Sequence, residues 1–187
     1  MNNSLALGAS LDADTFVDFV NRLKHDCRGE GVKEHCTADA LFIVEKKVIV
    51  SGIDTDYTDD WLISDGETEW YSPMDFWKDF DWQAKISLNK ECVEEYGNKF
   101  PKLSMPSQWG VLEGLKDYTV TGYVERWDYV NAHFTNDAAE AFIRRKKHDY
   151  RDGLRVYVDS QYWAWEFNAI KNALMDGTLI YQPKAAS

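Results

Sequence analysis

The sequence predicts an α+β fold, a single domain in which helices pack on a mixed or antiparallel sheet. Three observations lead there. Runs rich in β-branched residues, such as Ala40–Ile53 and Leu154–Val158, are interspersed with stretches of helical periodicity, such as Phe16–Leu23. The 187 residues suffice for one good-sized core, and at 44% hydrophobic the chain has the apolar content of a globular protein. No internal repeat or low-complexity linker divides it, and residues 67–116 read as a variable insertion within the domain.

The elements follow in order. Residues 1–10 are small and polar and are expected to fray. Asp12 or Asp14 caps a first helix. Its apolar stripe is Phe16, Val17, Phe19, Val20, Leu23 and Cys27, and Gly29 and Gly31 end it. Ala40–Ile53 is one long strand, or a hairpin bent at Lys46-Lys47. Asp54–Asp60 is a turn, and Trp61–Ile63 is a short strand ending at the turn dipeptide Asp65-Gly66. Ser72-Pro73 opens a helix whose apolar face is Met74, Trp77 and Phe80. Pro101 and Pro106 mark a loop around Phe100–Trp109, and Val111, Leu112 and Leu115 suggest a short helix.

Tyr118–Trp127 alternates as a strand. Thr135 or Asn136 caps a helix with Ala138, Ala139, Phe142 and Ile143 on one side. Arg144–His148 falls in its last turns, where positive charge complements the helix dipole. After the strand Leu154–Val158, the residues Trp163, Phe167, Ile170 and Leu174 form the inner stripe of a final helix that Gly177 ends.

Charge bounds the function. The formal net charge is −11, and the acid excess lies in the first two-thirds of the chain. Between Asp54 and Asp81 stand ten carboxylates: Asp54, Asp56, Asp59, Asp60, Asp65, Glu67, Glu69, Asp75, Asp79 and Asp81. The only base among them is Lys78, and seven aromatic residues accompany them. So charged a stretch is ordinarily disordered for want of apolar anchors, but this one has them. An ordered anionic surface is the expectation. Such a field repels nucleic acid and attracts cationic partners.

Three cysteines, an odd number at sparse spacing, argue against a disulfide framework and for a reducing compartment. His25, Cys27, His35 and Cys36 cluster in sequence but match no zinc spacing, so no metal is expected there. Asp54–Asp60 offers oxygen ligands for a hard cation. It lacks the glycine and the distal glutamate of a calcium loop and reads as a solvated turn. The N-terminus has no basic region followed by an apolar core, and no run reaches the ~20 apolar residues of a spanning helix. A cytoplasmic protein without a membrane segment or cofactor is expected.

Three blocks carry a resemblance. His35–Phe42 leads into the first long strand. Trp127–Asn131 precedes His133-Phe134-Thr135. Val156–Ser160 leads into Trp165–Ile170. Together they resemble a group of uncharacterised phage- and prophage-encoded proteins, over roughly residues 15–66 and 117–177. The resemblance implies a bacterial host and an accessory role in phage–host conflict. It brings no catalytic residue with it.

No Gly-rich phosphate loop, no Gly-x-Ser-x-Gly and no His-Glu-x-x-His is present. His133 and His148, near Asp128, Asp149 and Asp159, are the residues that could act as general bases. Trp165 stands about 200° around the helix from Trp163, so it fills a second layer or belongs to a partner-binding patch.

The sequence therefore points to a non-enzymatic phage or prophage binding protein. It would imitate the charge of DNA and inhibit a host defence nuclease, a restriction or CRISPR effector. The residues assigned to the partner, a basic host protein or nucleoprotein complex, are Asp54, Asp56, Asp59, Asp60, Asp75, Asp79, Asp81 and Trp165. The alternative is a small-molecule or nucleotide-binding protein or enzyme using Arg144, Arg145 and His148 beside an aromatic pocket. A third reading is a self-associating structural or regulatory phage protein; composition leaves the oligomeric state open.

Overall fold

The structure, a computed structural model, describes residues 3–183. It is an α+β fold, with seven helices and a five-stranded antiparallel sheet among the described residues. The strands are β1 (Ala40–Ile53), β2 (Trp61–Ser64), β3 (Glu69–Trp70), β4 (Thr119–His133) and β5 (Leu154–Ser160). They pair in the order β3-β2-β4-β1-β5. Two compact units divide the chain: Met1–Val48 with Trp127–Ser187, and Ile49–Arg126. The long strands β1 and β4 contribute residues to both. No helix among the described residues is long and apolar enough to cross a membrane.

In the first unit, helix α1 (Ala13–Arg28) starts where Asp12 caps it. The Thr15 amide donates to the Asp12 carboxylate at 2.8 Å, and the Asp12 amide donates back to the Thr15 hydroxyl at 2.9 Å. Gly29 ends α1, but Gly31 does not; it begins a short helix α2 (Gly31–His35). A Cβ on Gly31 would come within 2.9 Å of the Asp26 Cα, so the tight entry to α2 requires glycine. The expected fraying of residues 1–10 is corrected for Leu5–Leu7, a 3-10 turn capped by Ser4. The Ser4 hydroxyl also donates to Asp18 at 2.8 Å, and that tie to α1 orders the turn.

Strand β1 is one continuous strand without a bend into a hairpin. Its first half pairs with β5 from Ala40↔Ser160 to Lys46↔Leu154. Helix α6 (Asn136–Lys146) sets Ala139, Phe142 and Ile143 against Ala40, Phe42, Val44, Leu154, Val156 and Val158. A second cluster joins Leu23 and Cys27 of α1 to Met175 of α7 (Trp165–Asp176), with Phe19 and Leu174 packed around it.

The expected stripe of that last helix is corrected. Trp163 precedes α7 and is 78% exposed, and Ile170 is exposed as well. The inward residues are Lys171 and Met175, with Phe167 and Leu174 half-buried. The inner face is therefore turned by about one residue, because a lysine occupies its centre. The Lys171 ammonium donates to the Ala38 carbonyl at 3.0 Å and to Asp39 at 3.3 Å, and it lies 5.5 Å from the Phe167 ring centre. A hydrophobicity pattern places lysine outside; here its charge is paired and its stem is packed.

The second unit has its own core. Ile63, Phe76, Leu88, Cys92, Phe100, Trp109 and Leu112 are buried together, ringed by Trp61, Trp70, Trp77, Phe80 and Tyr118. The β2–β3 hairpin turns where the Asp65 carboxylate accepts from the amides of Glu67 and Thr68. Helix α3 (Pro73–Asp79) starts at Ser72, as expected, but its buried residues are Pro73 and Phe76, while Met74 is exposed. The Phe76 ring meets Trp70, Phe80 and Tyr118 at 4.7–5.3 Å, and that aromatic cluster selects the buried face.

Helix α4 (Trp82–Tyr96) has no counterpart in the sequence reading; only Leu88 and Cys92 of it are buried. The expected loop over Phe100–Trp109 is also corrected. Pro101 lies in a 3-10 turn, and Pro106 sits in the first turn of α5 (Met105–Glu113), where its missing N–H costs nothing. At Gly122 in β4, an added Cβ would collide with the Thr58 methyl and lie 3.0 Å from the Ile53 carbonyl, so only glycine fits.

Candidate functional site

Two regions merit weighing as sites. The first is the acidic surface of the second unit. Residues 49–126 hold 16 of the 32 acids but only 7 of the 21 bases, a net −9 against −2 for the remainder. All ten carboxylates between Asp54 and Asp81 are exposed.

Their environments differ. Asp54 accepts from the Asp56 amide at 3.0 Å and opens the 3-10 turn Thr55–Tyr57. Asp65 holds the hairpin turn, and those two amides keep its carboxyl below the usual carboxylate range. Asp75 accepts from Lys78 at 2.7 Å and from the Ser72 hydroxyl at 2.8 Å, and these contacts lower its pKa in that order. Asp79 accepts from the Trp70 indole at 2.9 Å. Asp81 caps α4 through the amides of Gln83 and Ala84. Glu69 accepts from Tyr71 at 2.7 Å and from Ser51 at 3.3 Å.

Asp54, Asp65 and Asp81 thus fix turns and a helix start through one oxygen, whereas both oxygens of Asp75 and of Glu69 are engaged. Asp56, Asp59, Asp60 and Glu67 have no such structural bond among the described residues. What the arrangement offers chemically is fixed negative charge beside aromatic mass.

The second region lies in the first unit, at the end of α1. A cleft of about 420 Å³ is lined by Asn21, Arg22, His25, Asp26, Glu34, Asn136 and Asp137. Asp26 is buried. One of its oxygens meets His25 Nδ1 at 3.1 Å, and the other accepts the Asn136 amide at 2.8 Å. The bond to Asp26 raises the His25 pKa. Sequence reasoning missed this pair; only a contact across 110 residues reveals it. No serine, threonine, cysteine or lysine is among the lining residues.

The remaining assigned residues are placed as follows. Trp165 is 74% exposed in the first turn of α7, near the exposed Tyr162 and Trp163, whose rings meet edge to face at 4.9 Å. Arg144 lines a cleft of about 480 Å³ with Ser4, Leu7, Asp18, Arg22 and Asp137, which contains no aromatic ring. Arg145 reaches the Ala6 carbonyl at 3.5 Å, and His148 lies exposed at 3.0 Å from Asp149. His133 is half-buried; burial, and then Arg145, lower its pKa. Among the described residues, no three metal-ligating side chains converge, including His25, Cys27, His35 and Cys36.

Comparison with protein families, curated proteins and solved structures gives no match.

Proposed function

We propose that the protein is a non-enzymatic binding protein that sets its acidic unit into a cationic groove of a partner. The observation that carries this reading is the segregation of charge: −9 on residues 49–126, with every carboxylate of 54–81 exposed. Carboxylates spaced along an ordered surface offer arginine and lysine the same charge-assisted bonds that phosphates offer. Five of the aspartates are held by backbone or side-chain donors, so less side-chain freedom is lost on docking. The partner class that fits is a basic host protein or nucleoprotein in a bacterial cytoplasm. A phage-borne antagonist of a restriction or CRISPR nuclease, acting as a DNA mimic, fits both this surface and the sequence resemblance.

The test is affinity capture from a bacterial lysate at low and high salt, followed by DNA-cleavage assays on any nuclease recovered. Charge-driven capture weakens steeply once the screening length shrinks from about 10 Å to about 3 Å. Full inhibition by the triple variant Asp56→Asn, Asp59→Asn, Asp60→Asn, together with full inhibition by Asp75→Asn, Asp79→Asn, would end this reading.

A further inference from the structure

The two edges of the sheet are not alike. At one end β3 is two residues long, which leaves little backbone to pair. At the other end β5 offers seven residues, Leu154–Ser160, paired on one side only among the described residues. It contains no proline and no lysine, two of the devices that protect an open edge.

The ladder with β1 tells which groups face outward. Gln161 donates to the Asp39 carbonyl at 2.8 Å, and Lys47 donates to the Gly153 carbonyl at 3.1 Å. Hydrogen-bonded pairs alternate with non-bonded pairs along an antiparallel ladder. Given the register, Arg155, Tyr157 and Asp159 therefore spend their backbone groups on β1. Leu154, Val156, Val158 and Ser160 turn theirs outward.

The side chains supply the partner. Leu154, Val156 and Val158 pack on α6, so Arg155, Tyr157 and Asp159 share the opposite, more open face. We propose that the partner of this edge is β5 of a second copy, antiparallel, with the two-fold axis at Tyr157. In that register Val156 meets Val158 and Leu154 meets Ser160 as hydrogen-bonded pairs, using the outward backbone groups. The non-bonded pairs are Tyr157 with Tyr157 and, twice, Arg155 with Asp159. These are the positions where facing side chains come closest.

The charge match is specific to this register; a shift of two residues removes it. Arg155 is already set for it. Its Nε and one Nη donate to Glu45 at 2.8 Å, its guanidinium stacks 4.3 Å from the Trp127 ring centre, and no bond occupies the other Nη among the described residues. Beyond the strand, the exposed Tyr162 and Trp163 of one copy come beside the Tyr150–Gly153 turn of the other, which carries Arg151. The unit involved has a net charge of only −2, so two copies meet there with little repulsion.

The test uses the full chain in sedimentation equilibrium. The expected result is a reversible dimer of twice 21.7 kDa. Tyr157→Lys sets two ammonium groups face to face on the axis and should weaken it at least about tenfold. Val156→Pro removes an outward donor, not one used by β1, and should act likewise. A positive readout guards against misfolded variants. In a Cys36→Ser background, which removes the exposed thiol, Tyr157→Cys should form a covalent dimer on mild oxidation, because non-bonded pairs suit disulfide geometry. A chain that stays monomeric at all concentrations overturns the proposal. So does a dimer that Tyr157→Lys leaves intact and Tyr157→Cys does not lock.

Discussion

Lys171 offers the sharpest test of what holds the first unit together. Its side chain is fully buried, with one neutral acceptor, the Ala38 carbonyl at 3.0 Å, and one charged acceptor, Asp39 at 3.3 Å. Asp39→Ala leaves the ammonium in place with the carbonyl and the Phe167 ring alone. Breaking a buried pair from one side costs roughly 3–5 kcal/mol. Asp39 keeps partial solvent access, with 28% of its side chain exposed, and the 3.3 Å bond is long. The expected loss is therefore at the lower end, about 3 kcal/mol. For a chain of this length that is a fall of about 6–12 °C in melting temperature.

Lys171→Met is the decisive comparison. It keeps most of the stem's volume, removes the buried charge, and lets Asp39 turn to water. What remains is one unpaired carbonyl, about 1–2 kcal/mol. Calorimetry and urea titration of both variants should therefore place Asp39→Ala below Lys171→Met. The reverse order, or two losses below about 0.5 kcal/mol, would refute the claim that this pair governs the packing of α7.

Other expectations follow from the same geometry. Phe100 is fully buried and stacks on Trp77 at 4.9 Å, so Phe100→Ala should cost about 3–5 kcal/mol in thermal unfolding. Phe167, only half-buried and stacked on Phe134 at 5.4 Å, should cost clearly less, about 2 kcal/mol. His133 titrates below the ordinary value, so the unfolded chain takes up its proton first. Stability should fall as pH drops through about 6.5 toward the depressed value, and His133→Gln should flatten that slope in pH-resolved melting curves. His25 has the opposite sign: its contribution is complete below about 6.5 and is lost as pH rises through its raised value, so His25→Gln should change the slope the other way. Asp81→Ala should cost about 1 kcal/mol through the lost cap of α4, whereas the triple Asp56, Asp59 and Asp60 to Asn variant should melt no lower than the parent.

Much of the fold was legible because local rules decided it. Asp12, one of two candidate caps, Ser72-Pro73 and Asp65-Gly66 are short-range signals, and each starts or turns an element where expected. The strands β1 and β5 were carried by β-branched runs. The failures share a different cause. Lys171 lies inside because Asp39 and Ala38, more than 130 residues away, meet it. Helix α4 escaped notice because a helix touching its core through Leu88 and Cys92 alone shows almost no periodic stripe. The prolines at 101 and 106 read as breakers in sequence, although the first turn of a helix is where proline fits. For the candidate site, the density of acid was plain in sequence, but its division between the units was not. In sequence the acid excess reads as spread over the first two-thirds of the chain; the boundary at 49–126 gathers it.

That gathering bears on how so acidic a unit stays folded. A unit holding 16 acids and 7 bases repels itself, and a loosely held loop would relieve the repulsion by swelling. Here the opposing forces are local and of two kinds. Beneath the acids lies a core of Phe76, Phe100, Trp109 and their aromatic neighbours, whose burial does not depend on charge. Within the acidic stretch, Asp54, Asp65 and Asp81 accept amide hydrogens at turns and a helix start, Asp75 accepts from the Ser72 hydroxyl and the Lys78 ammonium, and such bonds strengthen when the acceptor is ionised. The same negative charge therefore supports the backbone at these points and strains the unit as a whole. The carboxylates of Asp56, Asp59 and Asp60 make no such bond among the described residues. Three exposed carboxylates without a hydrogen bond of that kind are where a role in recognition is easiest to separate from a role in structure.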